Sequence, residues 1–284
     1  MPSSKRVALL FAITAMAGAG TWGCMSKAKR HLYAAEDLFE KRDLKGAQVE
    51  LREAIKDDPN LLDAHKSLAH VDEYLGDEQG AEQEYEIASR LDPTDTKLFS
   101  KARYYRQLRE LENSAGKALD DIKAGRDEEG LNTLKTILTD TNHKTAHDNA
   151  LASLREAAPL IAQQGNSLYQ AKKYDDAVNA DGQAIRAYMM IAEATGKQQL
   201  DPAAEPVMRS LTAAAEAGGS RDRAFTILND VVAFDPENKA ANAELAKAYL
   251  MRQPPDYSSA ADLMERAGAS DAEVKAMRAR AKSH

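Results

Sequence analysis

The sequence predicts an all-α chain built from antiparallel helix pairs, and three observations carry that reading. A 34-residue pattern occupies two copies laid end to end across residues 28–95. Ala35, Ala47, Ala54 and Pro59 return as Ala69, Ala81, Ala88 and Pro93, and Leu51 is answered by Tyr85. Leu38, Leu51, Leu68 and Tyr85 are placed to point into the gap between the helices, as in helices buried on one side. The composition, 43% hydrophobic but only 6% aromatic, suits helices packed closely through small side chains.

The steric logic of the repeat is specific. Ala35 and Ala69 let the first helix of each pair approach the second, and Ala47, Ala54, Ala81 and Ala88 let the second helix pack on its neighbours. Pro59 and Pro93 follow helix ends, where a missing N–H costs nothing and continuation is blocked. In period and in these positions the stretch resembles the tetratricopeptide repeat (TPR) family. It departs from that pattern at Asp72, where an aromatic is usual. His31 and His65 stand where a large apolar residue is preferred, so those helix starts are expected to be looser. The resemblance implies a right-handed TPR-like solenoid of about six units, with elongated helices in the middle and the first helix of each unit on the concave wall.

Residues 1–23 precede the sole cysteine, Cys24, and read as a basic start, a charge-free apolar run and small residues. This is the layout of an export signal. It resembles a bacterial lipoprotein signal, in which the cysteine takes acyl chains such as palmitate and becomes the first mature residue. Gly23 fits that pattern; Trp22 and Thr21 depart from it. Two other readings stay open, cleavage after Ala17 and an uncleaved anchor from Val7 to Met25. All three place the body outside the cytoplasm. Met25 after the cysteine, rather than Asp, favours the periplasmic face of the outer membrane, with an inner-membrane anchor as the alternative. Several acyl chains hold a protein where a single myristoyl chain is marginal.

Residues 24–27 then serve as anchor and short linker, and 28–95 as the two tandem units. Thr94-Asp95-Thr96 offers helix caps, and no Gly or Pro interrupts the chain until Gly116, which predicts a long helix to Lys123. Gly125 turns the chain as Gly76 does, and Gly130, Leu134 and Ile137 stand where Ala81, Tyr85 and Ala88 stood. Residues 158–191 restore the pattern through Gly165, Leu168, Tyr174, Ala177 and Ala184, with Pro159 starting or kinking the first helix and the second running on to Thr195. Residues 96–196 thus form an extended region with two degenerate units. After a flexible joint at 196–202, residues 203–284 hold two further units and a polar capping helix from Asp271 to Lys282.

Composition narrows the function. The formal charge is −7, and it becomes −9 when residues 1–23 leave with Lys5 and Arg6, an acidic balance that argues against nucleic acid as partner. A lone cysteine supports neither a disulfide framework nor a cysteine zinc site. His143 and His147 are spaced i, i+4 but lack the glutamate of a metalloprotease motif. Nothing resembles a nucleophile elbow, a P-loop or a dinucleotide fingerprint. The expectation is a non-enzymatic scaffold with no cofactor, metal or small-molecule substrate, holding an envelope protein or peptide segment while tethered through Cys24.

Repeat position nominates the surface. Lys66, His70 and Tyr74 follow one another at four-residue steps, with Tyr33 on the corresponding stripe of the adjacent unit. Gln163 and Asn166 hold the equivalent face of the fourth unit. A second candidate is the basic and aromatic run Arg103, Tyr104, Tyr105 and Arg106 on the long helix; the competing reading is a solvated face whose arginines pair with Glu110 and Glu112. Lys66 followed by His70 does not support the TPR carboxylate clamp, which needs Lys and Asn at that spacing. In architecture the chain looks like the TPR lipoproteins that pilot type IV pilus secretins. Assembly of outer-membrane barrels, a gliding or secretion apparatus, and regulation of a peptidoglycan enzyme are the other classes.

Overall fold

The structure, a computed structural model, describes residues 25–282. Cys24 and the signal lie outside the described residues. Among the described residues thirteen helices run in order: α1 (Lys27–Glu40), α2 (Leu44–Asp57), α3 (Leu62–Leu75), α4 (Glu78–Leu91), α5 (Thr96–Lys123), α6 (Asp127–Leu138), α7 (Lys144–Gln170), α8 (Tyr174–Ala194), α9 (Ala204–Glu216), α10 (Arg221–Phe234), α11 (Lys239–Leu250), α12 (Tyr257–Ala267) and α13 (Asp271–Ala281). No strand occurs among the described residues. The long helix ends at Lys123 and the extended eighth helix is capped by Thr195, both where the sequence put them. The chain is an all-α, TPR-like array of helix pairs, and contacts divide it into two compact units that meet in sequence at Arg106 and Gln107.

In the first unit, α1 packs on α2 and α3 on α4. Ala35, Ala47, Ala54, Ala69, Ala81 and Ala88 are all buried, with Leu51, Leu68 and Tyr85 filling the space between helices. The repeat extends to polar ties that the apolar pattern does not reveal. Asp43 caps α2 by accepting from Gly46 N at 2.9 Å, and Asp77 caps α4 by accepting from Gly80 N at the same distance. Each removes one of the orphan donors at a helix start. The turn between paired helices needs a left-handed residue. Gly76 supplies it at φ 74°, whereas Arg42 occupies the equivalent place one repeat earlier at φ 66°.

His31 and His65 do not loosen their helices. His65 is 2% exposed, with Nδ1 2.5 Å from Glu84 Oε2 and Nε2 3.0 Å from the Pro59 carbonyl oxygen. A polar pair replaces the apolar contact, and it ties α3 to α4. Asp72, in the usual place of an aromatic, is also buried and accepts from Gln48 Nε2 at 2.6 Å, which joins α2 to α3.

In the second unit, α7 packs on α8, α9 on α8 and α10, and α11 on α12, with α13 closing against α12. Gly130 of α6 has no room for a side chain, since a Cβ there would stand 2.5 Å from Ile122 and from the Ala118 carbonyl oxygen. α7 is continuous through Pro159 instead of starting there. Pro159 and Arg155 both face solvent, so the Arg155 carbonyl that loses its helical donor can turn to water. The final helix is held by a reciprocal capping box between Ser270 and Glu273.

Candidate functional site

The first unit carries the large apolar side chains that remain exposed among the described residues. Tyr33 is 51% exposed, Tyr74 65% and Phe99 61%, on α1, α3 and α5, with Val49 of α2 as the aliphatic addition. α1, α3 and α5 are the leading helices of successive pairs, as the repeat requires. Tyr74 lies edge-on to Phe39 with ring centroids 5.4 Å apart, which fixes its base while leaving most of the ring in water. Lys66 reaches Asp95 at 3.2 Å, and Asp95 in turn accepts from Lys97 N at the start of α5. His70 is exposed, with Nδ1 3.1 Å from Glu73 Oε2. Of the four predicted residues, Tyr33 and Tyr74 are exposed, while Lys66 and His70 are each partnered locally. Phe99 was missed because nothing in the repeat marks its position as exposed.

The Arg103 to Arg106 run resolves into different roles. Tyr105 donates to Glu73 Oε1 at 2.8 Å and stacks on buried Tyr85 at 5.9 Å between centroids. Lys101 Nζ donates to the same carboxylate oxygen at 2.5 Å. Burial alone would raise the Glu73 pKa, but hydrogen bonds from His70, Lys101 and Tyr105 bring it down to about 2. The same burial and the Glu73 charge push the Tyr85 and Tyr105 hydroxyls well above the ordinary phenol range. Arg106 pairs with Glu86 of α4 at 2.5 Å. Tyr104 stands edge-on to Tyr105, and Arg103 is exposed. Tyr105 and Arg106 thus brace α5 within the first unit, with Tyr104 half-buried against Tyr105 and Arg103 exposed.

The second unit holds a groove of 1220 Å³, lined by α8 with residues of α6, α7 and α10 along it. Gln163 lines it, together with Gln164 and Ser167 of the same helix, while Asn166 is exposed outside it. From α8 it takes Asp176, Asn179, Gln183 and Arg186, a polar stripe at i, i+3, i+7 and i+10 on a helix whose other faces are buried. That stripe was legible in the sequence, but the family pattern directs attention to first helices and α8 is a second helix. Lys123 pairs with Glu156 at 2.8 Å and Arg186 donates to Asn132 Oδ1 at 2.6 Å, so both cations are engaged. Burial raises the Asp127 carboxyl. His143 is buried and its Nδ1 lies 3.2 Å from Asp140 Oδ1, while His147 approaches Asp148. No group of three or more metal-ligating side chains forms among the described residues, and no helix among them is long and apolar enough to cross a membrane.

No protein-family model matches the chain, and no curated protein matches it in sequence. Solved structures similar to it include pilF of Pseudomonas aeruginosa, at 15% identity over 90% of this chain and 83% of that one, with a TM-score of 0.28. The TPR2AB domain of yeast Sti1, in complex with an HSP90 peptide, is 17% identical over 90% and 95% of the two chains, with a TM-score of 0.35. A TPR protein of Thermus thermophilus is 17% identical over 79% and 100%, with a TM-score of 0.26. At scores this low, the helix-pair architecture rests on the chain's own packing and its 34-residue period.

Proposed function

We propose that this chain is a non-enzymatic interaction scaffold, tethered in the cell envelope through Cys24, that holds a protein partner on the leading helices of its first unit. One observation supports the binding face above others: in a chain with so few aromatics, Tyr33, Tyr74 and Phe99 stand more than half exposed on α1, α3 and α5. Exposed aromatics on rigid helices offer contact area with little entropy left to lose, and such anchors commonly carry about 2 kcal/mol or more each. The tether is supported by the apolar run that ends at the only cysteine. The resemblance to TPR pilotin lipoproteins favours a secretin or pilus machine as the partner assembly.

The test is crosslinking in intact cells followed by capture from solubilised membranes, with wild-type chain and with Tyr33→Ala/Tyr74→Ala. Loss of the captured protein, with helicity retained, is expected. A secretin in the wild-type eluate supports the pilotin reading, whereas an outer-membrane barrel or a wall enzyme replaces it. Undiminished capture by the double variant overturns the assignment of the face.

A further inference from the structure

We propose that the groove along α8 in the second unit binds an extended polypeptide segment bearing lysine or arginine side chains. The argument begins with unmet hydrogen bonds. Asp127 Oδ1 and Gln183 Oε1 are both buried and lack any donor, and both residues line the groove. Buried acceptors without partners are costly in a folded protein, about 1–3 kcal/mol each, and a ligand toward whose donors these side chains turn relieves that cost. The charges point the same way. Asp127, Glu128, Asp176 and Asp230 line it with Lys123, Arg186 and Arg223; Lys123 is already neutralised by Glu156 and Arg186 is bound to Asn132, so four carboxylates outnumber the two cations left, Arg186 and Arg223. What remains on offer is acceptor capacity and negative charge.

Size and lining favour a peptide over a small cation. At 1220 Å³ the groove exceeds the roughly 300–1,000 Å³ of sites for drug-sized molecules. Leu160, Ile185, Met189 and Ile227 also line it, giving apolar surface on which the methylene stems of Lys or Arg can lie while their charged heads reach carboxylates. Backbone N–H groups of an extended segment are further donors, suited to amide oxygens such as that of Gln183. This surface joins the second helix α8 to the first helix α7 of the same pair, in the second unit, and does not depend on the aromatic face of the first unit.

The experiment measures fluorescence anisotropy of labelled nonapeptides with the full chain. One peptide alternates Lys and Leu, and its match alternates Glu and Leu. The variants are Gln183→Met, which keeps length and removes the acceptor, and Asp127→Asn, which removes the charge. The basic peptide is expected to bind at least about tenfold more tightly than the acidic one, and each variant is expected to weaken it by about tenfold, the effect of losing one charge-assisted or otherwise unmet hydrogen bond. The melting temperature of Gln183→Met is expected to hold or rise, because an unsatisfied buried acceptor has gone; a merely structural glutamine would lower it. Equal binding of the two peptides overturns the proposal, as does unchanged affinity in both variants. Complete displacement by spermidine at equal charge concentration also overturns it, by assigning the groove to small polycations.

Discussion

His65 Nδ1 lies 2.5 Å from Glu84 Oε2, and one repeat earlier His31 Nδ1 lies 2.6 Å from Glu50 Oε2. The helix pair is therefore joined by the same polar brace in both tandem units. In the second tandem repeat the His65 ring is fully engaged, since Glu84 and the Pro59 carbonyl are both acceptors and each needs a proton from its nitrogen. That arrangement selects the imidazolium form.

The first prediction concerns pH. Burial alone would lower the His65 pKa, but hydrogen bonds to Glu84 and Pro59 and the charges of Glu84 and Asp58 outweigh it and raise it above 6.5. A histidine raised on folding adds stability that is fully present below its unfolded value and is lost as pH rises through its folded one. His65→Gln should therefore lower the melting temperature more at pH 5.5 than at pH 8.5. Glu84→Gln should do the same, with a cost at low pH approaching the 3–5 kcal/mol typical of breaking a buried pair. An equal loss at both pH values would show that the brace is neutral.

A second prediction concerns Asp181, fully buried on α8. Burial pushes its carboxyl from 3.8 up to about 6, with Ser210 pulling weakly the other way. The site is crowded as well, since a Cβ on Gly165 would stand 2.1 Å from Asp181 Oδ1. An acid raised on folding carries no penalty below its unfolded pKa, and the penalty is complete above its folded one. The window is thus pH 3.8 to about 6, and the full penalty is on the order of 3 kcal/mol. Asp181→Asn should raise the melting temperature at pH 7.5 and leave it nearly unchanged at pH 4, as read by thermal denaturation at the two values. A variant less stable at pH 7.5 would mean that the hydrogen bond with Ser210 outweighs the burial of the charge.

Arg42 and Lys172 carry the left-handed turn at φ 66° and 59°, in the place where Gly76 and Gly125 stand in other pairs. A left-handed conformation costs an L-residue roughly 1–2 kcal/mol, and glycine escapes that cost, though it brings extra entropy to the unfolded chain. Lys172→Gly is expected to gain about 0.5–1 kcal/mol in urea denaturation, and Gly76→Ala to lose about 1 kcal/mol. A destabilised Lys172→Gly would show that the lysine makes a compensating contact.

These positions also show how far the sequence could be read. Helix pairs and the tight alanines were legible because a helix approached closely accepts only small side chains, and Ala35, Ala69 and Ala177 are 2%, 0% and 0% exposed. The His–Glu brace was not, because a polar pair in an apolar slot reads as a flaw until the partner 19 residues on is placed beside it. Tyr105 carried aromatic and basic neighbours that suggest docking, yet the stacked ring of Tyr85 and the carboxylate of Glu73 turn it inward. Tyr33 and Tyr74 could be named from repeat position, as could Gln163 on the α7 side of the groove, whereas its α8 side belongs to a second helix that the repeat marks only as packing surface.

The last prediction tests the tether. Trp22 is the only tryptophan in the chain and stands two residues before its only cysteine. Cleavage before Cys24 removes Trp22, whereas cleavage after Ala17 or retention of the apolar run keeps it. Protein purified from membranes is therefore expected to lack tryptophan emission, to begin at a modified Cys24 in its mass spectrum, and to move to the soluble fraction as Cys24→Ser. The acyl attachment matters physically because each buried methylene adds about 0.8 kcal/mol and several chains make release negligible. Tryptophan emission from the mature chain, or an unmodified Cys24, would exclude lipidation. An anchor retained from Val7 to Met25 would then be distinguished from ordinary secretion by carbonate extraction, which leaves an anchored chain in the membrane pellet and releases a secreted one.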